Sequence, residues 1–280
     1  MKLSAVIVAY NPTKSINNSI NSFIDFVDKL FVIDNSDTNN EKIFNNGKIE
    51  YIPNYENKGI AFALNLAAKK SYELGYKWIL TMDQDSIFKD DNLTKLISFV
   101  EKNENDKIGI VSPWHKTKEN KKRSINEYDS VVEVMTSGNI VNLSAWKKIG
   151  GWKESYFIDN VDIEFCMNLN INHFSVIQYN NAELEHNLGN ITKKKLFNKT
   201  FTCTNHNYIR QYYMIRNLYY LSDEYKKYFP DNIYHMKRGA FGRFKNILIW
   251  EKDKYRKIRN MYRGYRDYKK KIIGKYPYKN

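Results

Sequence analysis

The chain has 280 residues, 42% of them hydrophobic, which is enough for a sizeable core and excludes a disordered polymer. Its formal charge is +14, and from Tyr225 to Asn280 eighteen Lys and Arg stand against four Asp and Glu, so the rest of the chain is balanced. A neutral body with a basic tail points to an anionic partner such as membrane lipid, a lipid diphosphate or nucleic acid.

Leu3 to Tyr10 is apolar on both faces, as a buried parallel strand must be, and Asn11-Pro12 breaks it. Ile16, Ile20, Phe23, Ile24 and Val27 recur at helical spacing. Leu30–Ile33 and Ile49–Ile52 read as the next strands, Gly59–Tyr72 as an Ala-rich helix, and Trp78–Met82 as a strand running into Asp83. Leu93, Leu96, Ile97 and Val100 mark another helix and Ile108–Val111 another strand. Lys116 to Arg123 is a charged loop, Val131–Val141 reads as strand around a Ser137-Gly138 break, and Asp162–Leu169 as a short helix. Beyond Tyr208 the pattern is helical, aromatic and basic. This order predicts an α/β fold: a Rossmann-like, mostly parallel sheet flanked by helices, with a C-terminal helical basic extension. The expected division is a domain over 1–220 and an extension over 221–280.

Ligands of such sheets bind beyond the carboxyl ends of the strands, where three polar clusters fall: Tyr10-Asn11, Asp34-Asn35-Ser36 and Asp83-Gln84-Asp85. Two carboxylates one residue apart at a strand end suit a hard divalent cation that also takes phosphate oxygens; the plainer alternative is a surface turn. Asp34 suits a ribose or base contact, or a cap. Gly59, after Asn57-Lys58, permits close backbone approach to a ligand ahead of a helix. Phe157–Phe165 packs Asp159, Asp162 and Glu164 among apolar residues, where a carboxylate serves as a base or caps the following helix. His186 is a candidate metal ligand or phosphate contact, though a lone His is commonly neither. Cys166 and Cys203 lack metal-ligand spacing, which predicts free thiols in a reducing compartment.

In order, Val8-Ala9-Tyr10-Asn11, Val32–Ser36, Asn57–Ala61, Asp83-Gln84-Asp85-Ser86, Thr136-Ser137-Gly138-Asn139 and Phe157–Glu164 resemble the motifs of family 2 glycosyltransferases of the GT-A fold, over about residues 3 to 220. The DQDS and FIDNVDIE strings, Glu185–Gly189 and Arg216–Leu221 look most like bacterial rhamnosyltransferases. The resemblance implies that Tyr10, Asp34, Asn57, Gly59, Asp83 and Gln84 bind the nucleotide sugar. It implies that Asp83, Asp85 and His186 hold Mg²⁺ or Mn²⁺, and that Ser137, Gly138 and Asn139 lie on the acceptor side. Asn160 stands where many members carry the catalytic acid, leaving the base to Asp159 or Asp162, with Asp159 the expected one. The Arg often found after that motif is replaced, at Asn168 or a neighbour.

The implied activity is inverting transfer, with dTDP-rhamnose or a UDP-sugar as donor and a lipid-diphosphate-linked saccharide as acceptor, in capsule or O-antigen synthesis. No apolar run spans a bilayer, so the expected place is the cytoplasm, peripheral on the inner membrane face through the tail. Its helix mixes Lys252, Arg256, Lys257, Arg259 and Arg263 with Tyr255, Ile258, Met261 and Tyr262. A nucleic-acid-binding protein would account for the tail but not for the acids at the strand ends, so no nucleic acid is expected. A nicotinamide-dependent oxidoreductase would carry GxGxxG after the first strand, where Asn11-Pro12-Thr13 stands instead.

Overall fold

The computed structural model describes residues 1–116, 123–185, 192–196 and 199–278. The chain packs as two units, one comprising Met1–Lys153 with Asp162–Asn187, the other Glu154–Val161 with Leu188–Asn280.

The first unit is built on a nine-stranded sheet. Its N-terminal half holds β1 (Leu3–Ala9), α1 (Ile16–Asn21), β2 (Lys29–Asp34), β3 (Ile49–Pro53), α2 (Ile60–Glu73) and β4 (Trp78–Asp83). The strands lie in the order β3-β2-β1-β4, all parallel. β1 and β2 are almost wholly buried, which is why they read as unbroken apolar runs. After β4 come β5 (Ile87–Phe88), α3 (Asn92–Lys102), β6 (Ile108–Lys116), β7 (Tyr128–Ser130), β8 (Asn139–Asn142), α4 (Leu143–Ile149), α5 (Val161–Ile171) and β9 (Ser175–Glu185). Here the sheet turns mixed: β8 runs antiparallel to both β4 and β6, while β6 and β9 are parallel. The parallel order read from the sequence therefore holds from β3 to β4 and gives way at β8. Instead of one strand around Ser137-Gly138, β7 pairs with β9, an irregular run follows, and β8 begins only at Asn139. Gly138 adopts φ +80°, and a Cβ there would lie 2.8 Å from Leu184 and 3.0 Å from Pro113. One core runs beneath the sheet from Leu3 and Leu30 through Leu80 and Val111 to Leu184.

The second unit holds a hairpin, β10 (Thr192–Leu196) with β11 (Lys199–Cys203), and three helices: α6 (Tyr208–Tyr225), α7 (Pro230–Ile249) and α8 (Lys254–Lys269). Within the second unit α6 packs against α8. Ile215 and Leu218 of α6 meet Ala240 and Ile247 of α7 and Met261 of α8. Met261, with Ile258 packed beside it, thus serves this core rather than a membrane surface. α6 and α8 touch through Gly264, where a Cβ would stand 2.4 Å from the Tyr212 carbonyl oxygen. Gly264→Ala is therefore expected to destabilise this unit by about 2 kcal/mol or more, since a backbone clash outweighs the helix propensity that Ala adds. Unchanged thermal and urea midpoints would show that the helices need no such approach.

Candidate active site

The parallel register sets the candidate donor groups on one edge. Ala9 of β1 pairs with Asp34 of β2, and Val8 with Asp83 of β4, so both acids end strands flanking β1. Tyr10 follows β1, half exposed, and its backbone N–H donates to Gln84 Oε1 at 3.1 Å, tying the first strand end to the fourth. Asn57 Oδ1 accepts from the Gly59 N–H at 2.9 Å, and Gly59, at φ +89°, opens α2 in a conformation that favours glycine.

Asp34 is fully buried and saturated from within. Ser36 donates to Oδ1 from its N–H at 2.9 Å and its hydroxyl at 2.5 Å; Asn40 Nδ2 and the Tyr51 hydroxyl donate to Oδ2 at 2.9 and 2.7 Å. Burial, with the Asp34 carboxylate, pushes Tyr51 up to about 12, so it remains a donor. In this arrangement Asp34 shapes the loop after β2, and a ligand contact would require exchanging one of these four donors. Neither Asn40 nor Tyr51 carries a sequence motif.

Strand alternation does not carry Asp83 and Asp85 to one side, because β4 ends at Asp83 and Gln84-Asp85 form a turn, with Ser86 N–H on the Asp83 carbonyl at 3.5 Å. The Asp83 N–H donates to Ser137 Oγ at 3.0 Å, and the Ser137 carbonyl meets His115 Nε2 at 2.6 Å. Ser137 and Gly138 thus brace the end of β4, with the Gly138 N–H on the Thr81 carbonyl at 2.6 Å. Asp83 is half-buried and Asp85 exposed. Two hard oxygen ligands on one turn fit Mg²⁺ or Mn²⁺, which keeps waters and takes phosphate oxygens for its remaining positions. Among the described residues no three acids, histidines or cysteines cluster as a complete metal site. His186 lies outside the described residues.

The two candidate bases belong to different units. Asp162, on the first turn of α5, lines a small pocket, with room for about one water, together with Thr81, Thr136, Asn139, Trp152 and Cys166. Asn139 Nδ2 donates to the Met135 carbonyl at 2.8 Å, while its buried Oδ1 has no hydrogen-bond partner among the described residues. Glu133 has its carboxyl raised, first by desolvation and then by the Asp162 charge. Asn168 Nδ2 donates to the Ile149 carbonyl at 3.3 Å.

Asp159 belongs to the second unit, in the left-handed region at φ +62°, beside Asn160 at +61° and Phe157 at +67°. Two buried side chains of α6 hold this strained loop. Asn217 Nδ2 donates to the carbonyls of Tyr156, Ile158 and Asp159 at 2.8–3.0 Å. Arg216 donates to those of Ser155 and Tyr156, and to Gly274 at 2.7 Å, with its guanidinium over the rings of Tyr212 and Tyr213. The Asp159 carboxylate, 7% exposed, receives Arg210 Nε on both oxygens at 3.0 and 3.3 Å. Burial raises its pKa, while Arg210 and Arg243 pull the other way.

A glycosyltransferase architecture follows from parallel strands ending in an Asp-Gln-Asp turn, followed by an antiparallel β8 and an acid-bearing α5. The glycosyl transferase family 2 model matches residues 4–167, and the chain belongs to that family. It is 30% identical over 237 residues to the dTDP-rhamnosyl transferase RfbF of Shigella flexneri, covering 78% of each chain. Among solved structures it is similar to S. aureus TarS in complex with UDP-GlcNAc, at 15% identity and TM-score 0.61, over 97% of this chain and 82% of that one. GalNAc-T7 with UDP, GalNAc and Mn²⁺ aligns at TM-score 0.55 and 12% identity, over 67% of this chain. The chain spans only 44% of the GalNAc-T7 chain, and these two likenesses are of fold.

His206, just ahead of α6, is depressed to about 4 by burial and then by Arg210, Arg243 and Lys257. Between its ordinary 6.5 and that value the unfolded chain binds a proton that the folded chain refuses. Stability is therefore lost as pH falls through this window. His206→Gln is expected to shrink the fall in Tm from pH 6.5 to 4; superimposable Tm–pH curves for variant and parent would contradict it.

Proposed function

We propose that the chain is an inverting, metal-dependent glycosyltransferase that moves L-rhamnose from dTDP-rhamnose to a lipid-diphosphate-linked saccharide. The observation that carries this reading is the Asp83-Gln84-Asp85 turn at the carboxyl end of β4, in a family 2 chain 30% identical to a dTDP-rhamnosyl transferase. A UDP-hexose is the competing donor, in keeping with the UDP-GlcNAc that TarS holds.

In the proposed reaction Tyr10, Asn57, Gly59 and Gln84 seat the nucleotide, while Asp34 keeps the loop after β2 in shape. Asp83 and Asp85 would hold the divalent cation, which when bound offsets negative charge on the diphosphate. The acceptor hydroxyl gives its proton to a carboxylate as its oxygen bonds to the anomeric carbon. The bond from that carbon to the phosphate oxygen breaks on the opposite face, inverting the configuration, and the nucleoside diphosphate leaves with the bonding pair. Between the two acids, Asp162 suits the base better: it lines a small pocket in the unit that carries Asp83, whereas both oxygens of Asp159 are taken by Arg210. Ser137, Gly138 and Asn139 belong to the acceptor side, where the buried Asn139 Oδ1 is an acceptor without a bond among the described residues.

Among the described residues no helix is long and apolar enough to cross a membrane. Peripheral attachment through residues 221–280 to the inner membrane face is part of the proposal. It is supported by Tyr255 and Tyr262, 76% and 64% exposed, on the face of α8 that also bears Arg256 and Arg259.

Asp162→Asn is expected to lower kcat by roughly a hundredfold or more with nucleotide affinity kept, and Asp159→Asn by far less. The reverse order would return the base to Asp159. In a donor screen, dTDP-rhamnose with Mg²⁺ should raise Tm above any UDP-sugar, and Asp83→Asn should abolish the metal-dependent part of that rise. A preference for UDP-sugars would replace the donor and leave the family standing.

A further inference from the structure

The second unit carries cations that its own fold does not use. Arg243 of α7 is partly buried, and among the described residues its buried Nε has no partner while its Nη1 meets only the Met214 sulfur at 3.6 Å. A thioether is a weak acceptor, so the hydrogen-bonding capacity of this guanidinium is largely unspent on the described residues. Arg210 pairs with Asp159 through Nε alone, so the fork of its terminal N–H groups is not consumed by that pair. Gln211, the next residue on α6, is fully buried with both ends of its amide unpartnered among the described residues. It lies three positions before Met214, on the same helical face as the sulfur that Arg243 reaches. The charges of Asp159 and Glu251 attract Arg243 and that of Arg210 repels it, so the two guanidiniums lie within reach of one another's field.

We propose that Arg243 and Arg210, with Gln211 beside them, form a subsite for a phosphate or diphosphate group. Two guanidiniums presenting N–H groups from separate helix positions match the several oxygens of a tetrahedral anion, and Asp159 acts as the positioning residue for Arg210. The unspent N–H groups of Arg243 find acceptors when the anion arrives. On the proposed function, on which only the choice of source rests, that phosphate comes from the acceptor's lipid diphosphate.

The test is calorimetric titration of inorganic pyrophosphate into the full chain in EDTA, which keeps the metal-dependent turn at Asp83 out of the measurement. Arg243→Met should weaken binding about tenfold or more while leaving Tm equal or higher, because it removes a desolvated charge that makes no hydrogen bond to a carboxylate among the described residues. Arg243→Lys, which keeps the charge and loses the fork, should fall between, and Arg238→Gln on the exposed part of α7 should bind as the parent does. Repeating the titration with saturating dTDP and Mg²⁺ checks the source: persisting affinity supports the acceptor phosphate, and competition overturns that assignment. Affinity for pyrophosphate within twofold of the parent in Arg243→Met, or none in the parent, overturns the subsite. Release of dTDP from dTDP-rhamnose by the parent chain is read separately, so loss of the subsite and loss of the transferase reading are told apart.

Discussion

The placement of the candidate donor groups depends on one constraint, the register of three parallel strands. β1 lies between β2 and β4, and its pairing carries Asp34 and Asp83 to the same edge of the sheet. The register is held by burial, since a shift of one residue would turn the inward side chains of these apolar strands to the opposite face. Core packing far from that edge, at Leu3, Leu30 and Leu80, thus decides where the carboxylates stand.

The acids at that edge and beyond differ in what the fold asks of them. Asp34 has its bonding capacity taken by Ser36, Asn40 and Tyr51, which makes it a brace. Asp159 is engaged on both oxygens by one guanidinium, and Asp162 lines a pocket. A carboxylate already saturated by neutral donors gains little from a further partner, whereas one at the wall of a pocket keeps more of its capacity for another. A similar distinction separates Arg216, whose guanidinium is spent on three carbonyls and two rings, from Arg243, which among the described residues hydrogen-bonds only to a thioether.

Much of this was legible in the sequence. β1, β2 and β4 announce themselves because strands buried on both faces must be continuously apolar, and Gly59 and Asp83 mark the helix start and strand end that bound such runs. The mixed half was harder to read. β9 carries Gln178, Asn180 and Asn181, and its alternation is broken by a buried Asn180 that bonds to Asp129 and the Asn126 carbonyl. β8 is only four residues long and follows an irregular run whose shape is set by Gly138. The partners of Asp34 and Asp159 are hidden for another reason: Tyr51 is 17 positions from Asp34 and Arg210 is 51 from Asp159, so no local pattern joins them. In the basic tail, composition gives the charges but not that Lys257 is buried against Glu251, or that Asp267 binds Tyr212 and Tyr278.

The grip of Arg216 and Asn217 on the loop from Ser155 to Asp159 is made entirely through main-chain oxygens. Every residue type offers the same carbonyl, so these bonds survive any change of side chain that the left-handed positions at Phe157, Asp159 and Asn160 tolerate. Substitutions there can change what the loop recognises while its course stays put. Such an arrangement lets a lineage of enzymes diversify one short segment without refolding the scaffold that presents it.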